Sequence, residues 1–189
     1  MYEINKTYET PKGLIKILSR TKKQKLPNGK VKHPRAVIQF VKTGTVIDVQ
    51  TCNIKAGKFE DFMEPTVYGV GFMGSPIRIP ARGSNSIIRK IYDLWANMLK
   101  RAYGNYKTSY VGCKVDPRWH NFTTFLNTIH EVEGYEEWEK DSSMHLDKDI
   151  KKGNWGLYSR DHCKFVTATE NAADSNKRRW GKANDLTLT

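Results

Sequence analysis

HLDKDIKKGNWGLYSRDHCKFVTATENAADSNKRR, residues His145 to Arg179, is the stretch on which the fold turns. His145 to Ile150 has the length and apolar content of a strand. Lys151 to Asp161 carries Gly153, Asn154, Gly156 and Ser159 and reads as a loop. Cys163 to Val166 (CKFV) is a second short strand, and either Thr167 or Thr169 offers a cap for a helix through Ala168 to Lys177. Strand, loop, strand, helix is a ββα unit. Within the first strand His145, Asp147 and Asp149 share parity, which predicts one common side. Carboxylates so close are tolerated when a divalent cation or a lysine sits between them. The alternative for LDKD is a solvated strand end.

Upstream of this unit the periodicity changes. Ser86 to Tyr103 has Ile87, Ile88, Ile91, Leu94, Trp95, Met98, Leu99 and Ala102 at three-to-four spacing, an amphipathic helix better suited to scaffold than to site. A second helix is predicted over Phe122 to Val132, after Trp119. Residues 65–85 are rich in Gly and Pro and read as a linker. Before them the chain is β in character. Leu14 to Leu18, Ala36 to Val41 and Thr45 to Thr51 are strands, the last two joined through Lys42-Thr43-Gly44. Pro27-Asn28-Gly29 supplies the tip of a hairpin in the basic segment between them. The expected fold class is α+β: a small antiparallel β module over 1–64, a linker over 65–85, a helical region with the ββα unit over 86–180, and a tail over 181–189.

The chain has 189 residues and a formal net charge of +12, which favours a polyanionic partner. The charge is concentrated. Nine Lys or Arg and no acid lie between Thr10 and Arg35. Lys177, Arg178, Arg179 and Lys182 form a second basic cluster, and Glu131 to Asp141 (EVEGYEEWEKD) is acidic. Lys16, Arg20, Lys22, Lys23, Lys25, Lys30, Lys32, Arg35, Lys177, Arg178 and Arg179 are the candidate nucleic-acid contacts; a solvated basic surface is the alternative. Cys52, Cys113 and Cys163 are isolated, which argues against a disulfide framework and a zinc ribbon. No apolar run approaches the roughly 20 residues of a membrane span, and the N-terminus lacks the apolar core of a signal peptide. The expectation is a cytoplasmic protein without a membrane partner.

The run HCKFVTATEN, His162 to Asn171, resembles the second strand and helix start of HNH (ββα-metal) endonucleases, where a phrase such as NLxWVTxxEN ends in a metal-binding Asn or His. LDKDI matches the place where those enzymes carry Asp-His. The order LW..M..R.Y, V...W..F..F, LDKDI, YS...C.FV, EN is similar to small phage-encoded HNH-like and homing-endonuclease-like proteins, over roughly Ile91 to Arg179. The N-terminal pattern V.F..TG....V....I..G is more loosely similar to the basic β modules that such proteins carry.

This resemblance implies metal-dependent phosphodiester hydrolysis. A divalent ion stabilises charge on the phosphate, and a histidine acts as general base towards water. It places Asp147 and Asn171 as ligands of Mg²⁺ or Mn²⁺ and His162 where the family often has a loop-bracing Asn. Lys148 stands where the family has its histidine base. A protonated lysine takes no proton from water. Three readings follow: another base, with His145 and His162 nearest in sequence; a Lys148 desolvated enough to act; or a fold that binds without cleaving. The favoured expectation is a DNA-directed endonuclease of phage type, acting in the host cytoplasm, with RNA as the alternative polymer. The runner-up is a non-catalytic DNA- or RNA-binding regulator. A third is a factor that binds a host protein, which the acidic stretch would serve.

Overall fold

The computed structural model describes residues 2–104, 112–151 and 156–185, with backbone alone from 178 onward. The chain divides into two compact units, Met1–Glu64 and Pro65–Thr189, and the fold is α+β.

The first unit is a four-stranded antiparallel sheet in the order β1 (Thr7–Thr10), β2 (Gly13–Arg20), β5 (Arg35–Phe40), β6 (Val46–Gln50). Alternation decides which face is covered. Ala36, Ile38 and Phe40 of β5 point inward with Ile15 and Ile17 of β2, and Ile54 and Phe59 close over them. Ile54 belongs to α1 (Thr51–Ala56), a short helix that ends on Gly57 in the left-handed conformation. The basic segment forms a small hairpin, β3 (Gln24–Lys25) with β4 (Val31–Lys32). Its tip is at Pro27-Asn28-Gly29, and the Leu26 amide donates to the Lys30 carbonyl at 2.8 Å. Asp61 fastens the end of the unit to the β5–β6 turn, accepting from the hydroxyls of Thr43 and Thr45 at 2.5 and 2.7 Å.

The second unit is built around α2 (Ile87–Tyr103). Its buried stripe of Ile91, Trp95, Met98 and Leu99 meets α3 (Phe122–Thr128), where Phe122 and Phe125 are fully buried. The predicted helix over Phe122 to Val132 tightens into a 3₁₀ turn at Ile129–Glu131. α4 (Tyr135–Lys140) follows and buries Trp138 against Phe165, the rings stacked at 5.1 Å. β7 (Lys114–Val115) pairs in parallel with β9 (Leu157–Tyr158). β8 (His145–Asp147) pairs antiparallel with β10 (Lys164–Val166), and α5 (Ala168–Asp185) lies against β8. Helix α5 continues past the predicted Lys177 end because no proline or capping signal stops it there. The last four residues, and Gly153 and Asn154 of the predicted loop, lie outside the described residues.

Residues 65–85 are not a solvated linker. Val67, Val70, Met73, Ile77 and Ile79 pack on the core of the second unit. The Phe72 amide donates to the His120 carbonyl at 3.0 Å, and the Phe72 carbonyl accepts from the Phe122 amide at 2.8 Å. At Gly71 and Gly74 glycine serves close approach rather than flexibility, since a Cβ on either would collide with Leu99 or Asn121. Gly74 has φ +77°, and a Cβ there would overlap the Asn121 carboxamide that caps α3 through the amides of Thr123 and Thr124. Gly74→Ala is therefore expected to cost about 2–3 kcal/mol, from overpacking plus backbone strain. Gly69→Ala is the control: φ is similar, +76°, but nothing lies within 4 Å of the new methyl. Urea unfolding measures both; equal losses would refute the close-approach account.

Candidate functional site

β8 with the residues just after it, Tyr158 of β9, Arg101 of α2 and one side of α5 frame a cleft of about 440 Å³ whose lining includes His145, Asp147, Lys148, Asp149, Asn171 and Ser175. Helix α5 is set over the strands by a capping box. The Thr167 amide donates to the Glu170 carboxylate at 2.8 Å, and the Glu170 amide donates to the Thr167 hydroxyl at 3.2 Å. Of the two threonines only Thr167 has its glutamate three residues on, and the next residue after that glutamate is Asn171, which faces the cleft.

Asp147 ends β8. Its Oδ1 accepts from the amides of Asp149 and Ile150 at 2.7 and 2.8 Å, a local turn that breaks the strand. The strand alternation therefore stops at Asp147, yet His145, Asp147 and Asp149 all line the one cleft, as their shared parity predicted. Asp149 pairs through Oδ2 with Lys148 Nζ at 2.5 Å and accepts the Gly156 amide on Oδ1 at 2.9 Å. Lys148 is buried, 7% exposed, with its ammonium 5.5 Å from the centroid of the Tyr158 ring. Burial pulls its pKa down, but the hydrogen bond to Asp149 and the charges of Tyr158 and Asp149 outweigh it, and the net shift is upward. The contact with Asp149 and the upward shift both favour the charged ammonium and speak against the reading of Lys148 as a desolvated base.

The other two base candidates part company. His145 is exposed and lines the cleft with Asp147 and Asn171. His162 sits in the turn before β10, outside the cleft lining, with Nδ1 2.6 Å from the Ser159 hydroxyl. Next to that turn, burial pushes the Cys163 thiol up to about 12, so it stays neutral. Arg101, on the last turn of α2, is a cleft residue that sequence reasoning passed over. Its only signal was that it lies off the apolar stripe.

Asp147 and Asn171 offer a hard carboxylate oxygen and an amide oxygen, a sparse set suited to a weakly held Mg²⁺-class ion completed by water and phosphate oxygens. Among the described residues no group of three or more His, Cys, Asp or Glu side chains is placed to hold a metal. No helix among them is long and apolar enough to cross a membrane.

The basic candidates of the first unit are placed differently from one another. Arg35 is tied to Asp48 at 2.8 Å, and Arg20 donates to the Tyr2 carbonyl at 2.8 Å. Lys16 is half-buried on β2, and Lys25, Lys30 and Lys32 are exposed on the hairpin. Lys22 and Lys23 line a second cleft, within the first unit. Lys177 is exposed on α5; the side chains of Arg178, Arg179 and Lys182 lie outside the described residues. Part of the acidic stretch is used internally: Glu131 pairs with Arg160 at 2.8 Å, and Glu133 with Lys164 at 2.8 Å and Lys151 at 3.5 Å.

Comparison with protein-family profiles, with characterised proteins and with solved structures finds no match.

Proposed function

We propose that this chain is a DNA-binding protein of the HNH endonuclease type, in which the cleft beside α5 receives a backbone phosphate. One observation carries the reading: a strand pair and the following helix bring His145, Asp147 and Asn171 to one cleft, with Arg101 and Lys148 as its cations. Asp147 and Asn171 would hold Mg²⁺ or Mn²⁺, which when bound supplies neutralisation of negative charge on the phosphodiester. Arg101 adds positive charge for the phosphate. Lys148, bound to Asp149, serves as a fixed cation in the floor of the cleft and not as a base. His145 is then the side chain that accepts a proton from water, since an imidazole can do so at neutral pH. The second reading, binding without cleavage, is favoured by the same Lys148 geometry. The internal ion pairs of Glu131 and Glu133 weaken a reading of the acidic stretch as a surface for a host protein.

The test is a plasmid-nicking assay with Mg²⁺ or Mn²⁺ beside a DNA-binding titration. Binding is expected to weaken on the order of tenfold or more between about 50 and 200 mM salt. Nicking is expected to need the divalent ion and to disappear in Asp147→Ala and Asn171→Ala with binding largely retained. His145→Ala is expected to slow it on the order of 10²-fold. A wild-type protein that binds but leaves varied DNA and RNA intact with both ions would transfer the conclusion to the binding scaffold. Negligible binding at low salt would sink both.

A further inference from the structure

The first unit holds a cleft of about 910 Å³, open to solvent and separate from the site beside α5. It is assembled from distant segments: Tyr2 and Tyr8 near the N-terminus, Arg20, Lys22 and Lys23 at the end of β2 and beyond, and Lys55 from α1. The two tyrosines meet edge to face, with centroids 4.9 Å apart, and are half-buried on the core of the unit. Arg20 Nη1 donates to the Tyr2 carbonyl at 2.8 Å, which holds a guanidinium beside the aromatic pair. Among the described residues that line this cleft none carries a carboxylate. Lys55 decides that this is more than the basic run seen in the sequence, because it comes from another element to the same place.

Flat aromatic surface with surrounding cations is the chemistry that takes a nucleobase by stacking and its phosphates by charge. In a duplex each base face is already covered by its neighbours, so only an unpaired base presents a face to tyrosine. The geometry points to a binding site for single-stranded nucleic acid in this cleft, a base packing against Tyr2 and Tyr8 and flanking phosphates lying on Lys22, Lys23 and Lys55. The inference is independent of cleavage at the other unit.

Fluorescence anisotropy with the full chain tests it, using a labelled oligothymidylate 12-mer, an abasic 12-mer of equal charge, and a duplex of equal length. The oligothymidylate is expected to bind at least about fivefold more tightly than the abasic strand. Tyr2→Ala should erase that difference while leaving the abasic affinity in place. Lys55→Glu should weaken the oligothymidylate on the order of tenfold. Lys58→Glu, the same charge change at an exposed residue that does not line the cleft, should have at most a twofold effect, roughly. Cys52 gives a second readout: it is exposed in the cleft while Cys113 and Cys163 are buried, so a bound strand should slow its reaction with a maleimide. Equal affinity for oligothymidylate and abasic strands would overturn the site as a generic polyanion surface, as would equal losses in Lys55→Glu and Lys58→Glu. Preference for the duplex, retained in Tyr2→Ala, would overturn the single-strand assignment. Thermal unfolding of each variant separates loss of binding from loss of fold.

Discussion

Trp95→Ala is expected to destabilise the second unit by about 4–5 kcal/mol, the largest effect of a single substitution anticipated in this chain. The indole is fully buried on α2 and packs on Tyr92 and Phe122 with centroids 5.6 and 5.2 Å away. Truncation removes that burial and leaves a cavity that the surrounding helices close only in part. It also removes the Nε1 proton donated to the Trp119 carbonyl at 2.7 Å. Trp95→Phe separates the two contributions, since it keeps a ring and loses the donor, and should cost about 1–3 kcal/mol. Urea unfolding followed by near-ultraviolet circular dichroism reads both. A Trp95→Ala protein within about 1 kcal/mol of wild type would show that this helix is not the centre of the core. Domains are typically stable by only about 5–15 kcal/mol, so the alanine variant should be partly unfolded at physiological temperature.

Lys148→Ala should cost about 3–4 kcal/mol, because it strands Asp149 without its cation in a mostly enclosed setting. Replacing both partners is expected to be far milder. In Lys148→Met with Asp149→Asn, the carboxamide oxygen can still accept the Gly156 amide that Asp149 Oδ1 holds at 2.9 Å, and the methionine refills the space over Tyr158. A double variant as unstable as Lys148→Ala would refute the charge-pair account. The pH dependence has a definite sign. The Lys148 pKa is raised by folding, so its contribution is whole below the ordinary lysine value and drains away as pH rises through the raised one. Wild type should therefore lose stability in the alkaline range more steeply than the neutral double variant, which alkaline unfolding titrations would detect.

Periodicity carried the parts of the fold where one face is covered by one partner. Ala36, Ile38 and Phe40 alternate as a half-covered strand must, and Ile91, Trp95, Met98 and Leu99 recur as a buried helical stripe must. The packing of residues 65–85 leaves no periodic signal, because their apolar side chains, Val67, Val70, Met73, Ile77 and Ile79, follow no regular period. Each is seated on a core supplied by other segments, and Gly71 and Gly74 among them mark tight packing. At the candidate site the order strand, strand, helix was legible, while Asp147 and Asn171 were singled out by the family resemblance and His145 by its closeness in sequence to them; all three line one cleft. The partners of Asp149 were not, since the turn that ends the strand at Asp147 and the link to the Gly156 amide leave no mark in the sequence pattern. Arg101 and Lys55 were hidden for another reason: each reaches its cleft from an element read as scaffold or not foreseen at all.

The Asp149 carboxylate also has a topological effect. By accepting the Gly156 amide it joins two points seven residues apart and closes the chain between them into a ring of its own. The closure penalty of such a ring grows slowly, by about 0.6 kcal/mol for each doubling of length. The hydrogen bond therefore couples the chain just after β8 to the chain just before β9 at a cost nearly insensitive to the length of the segment it spans.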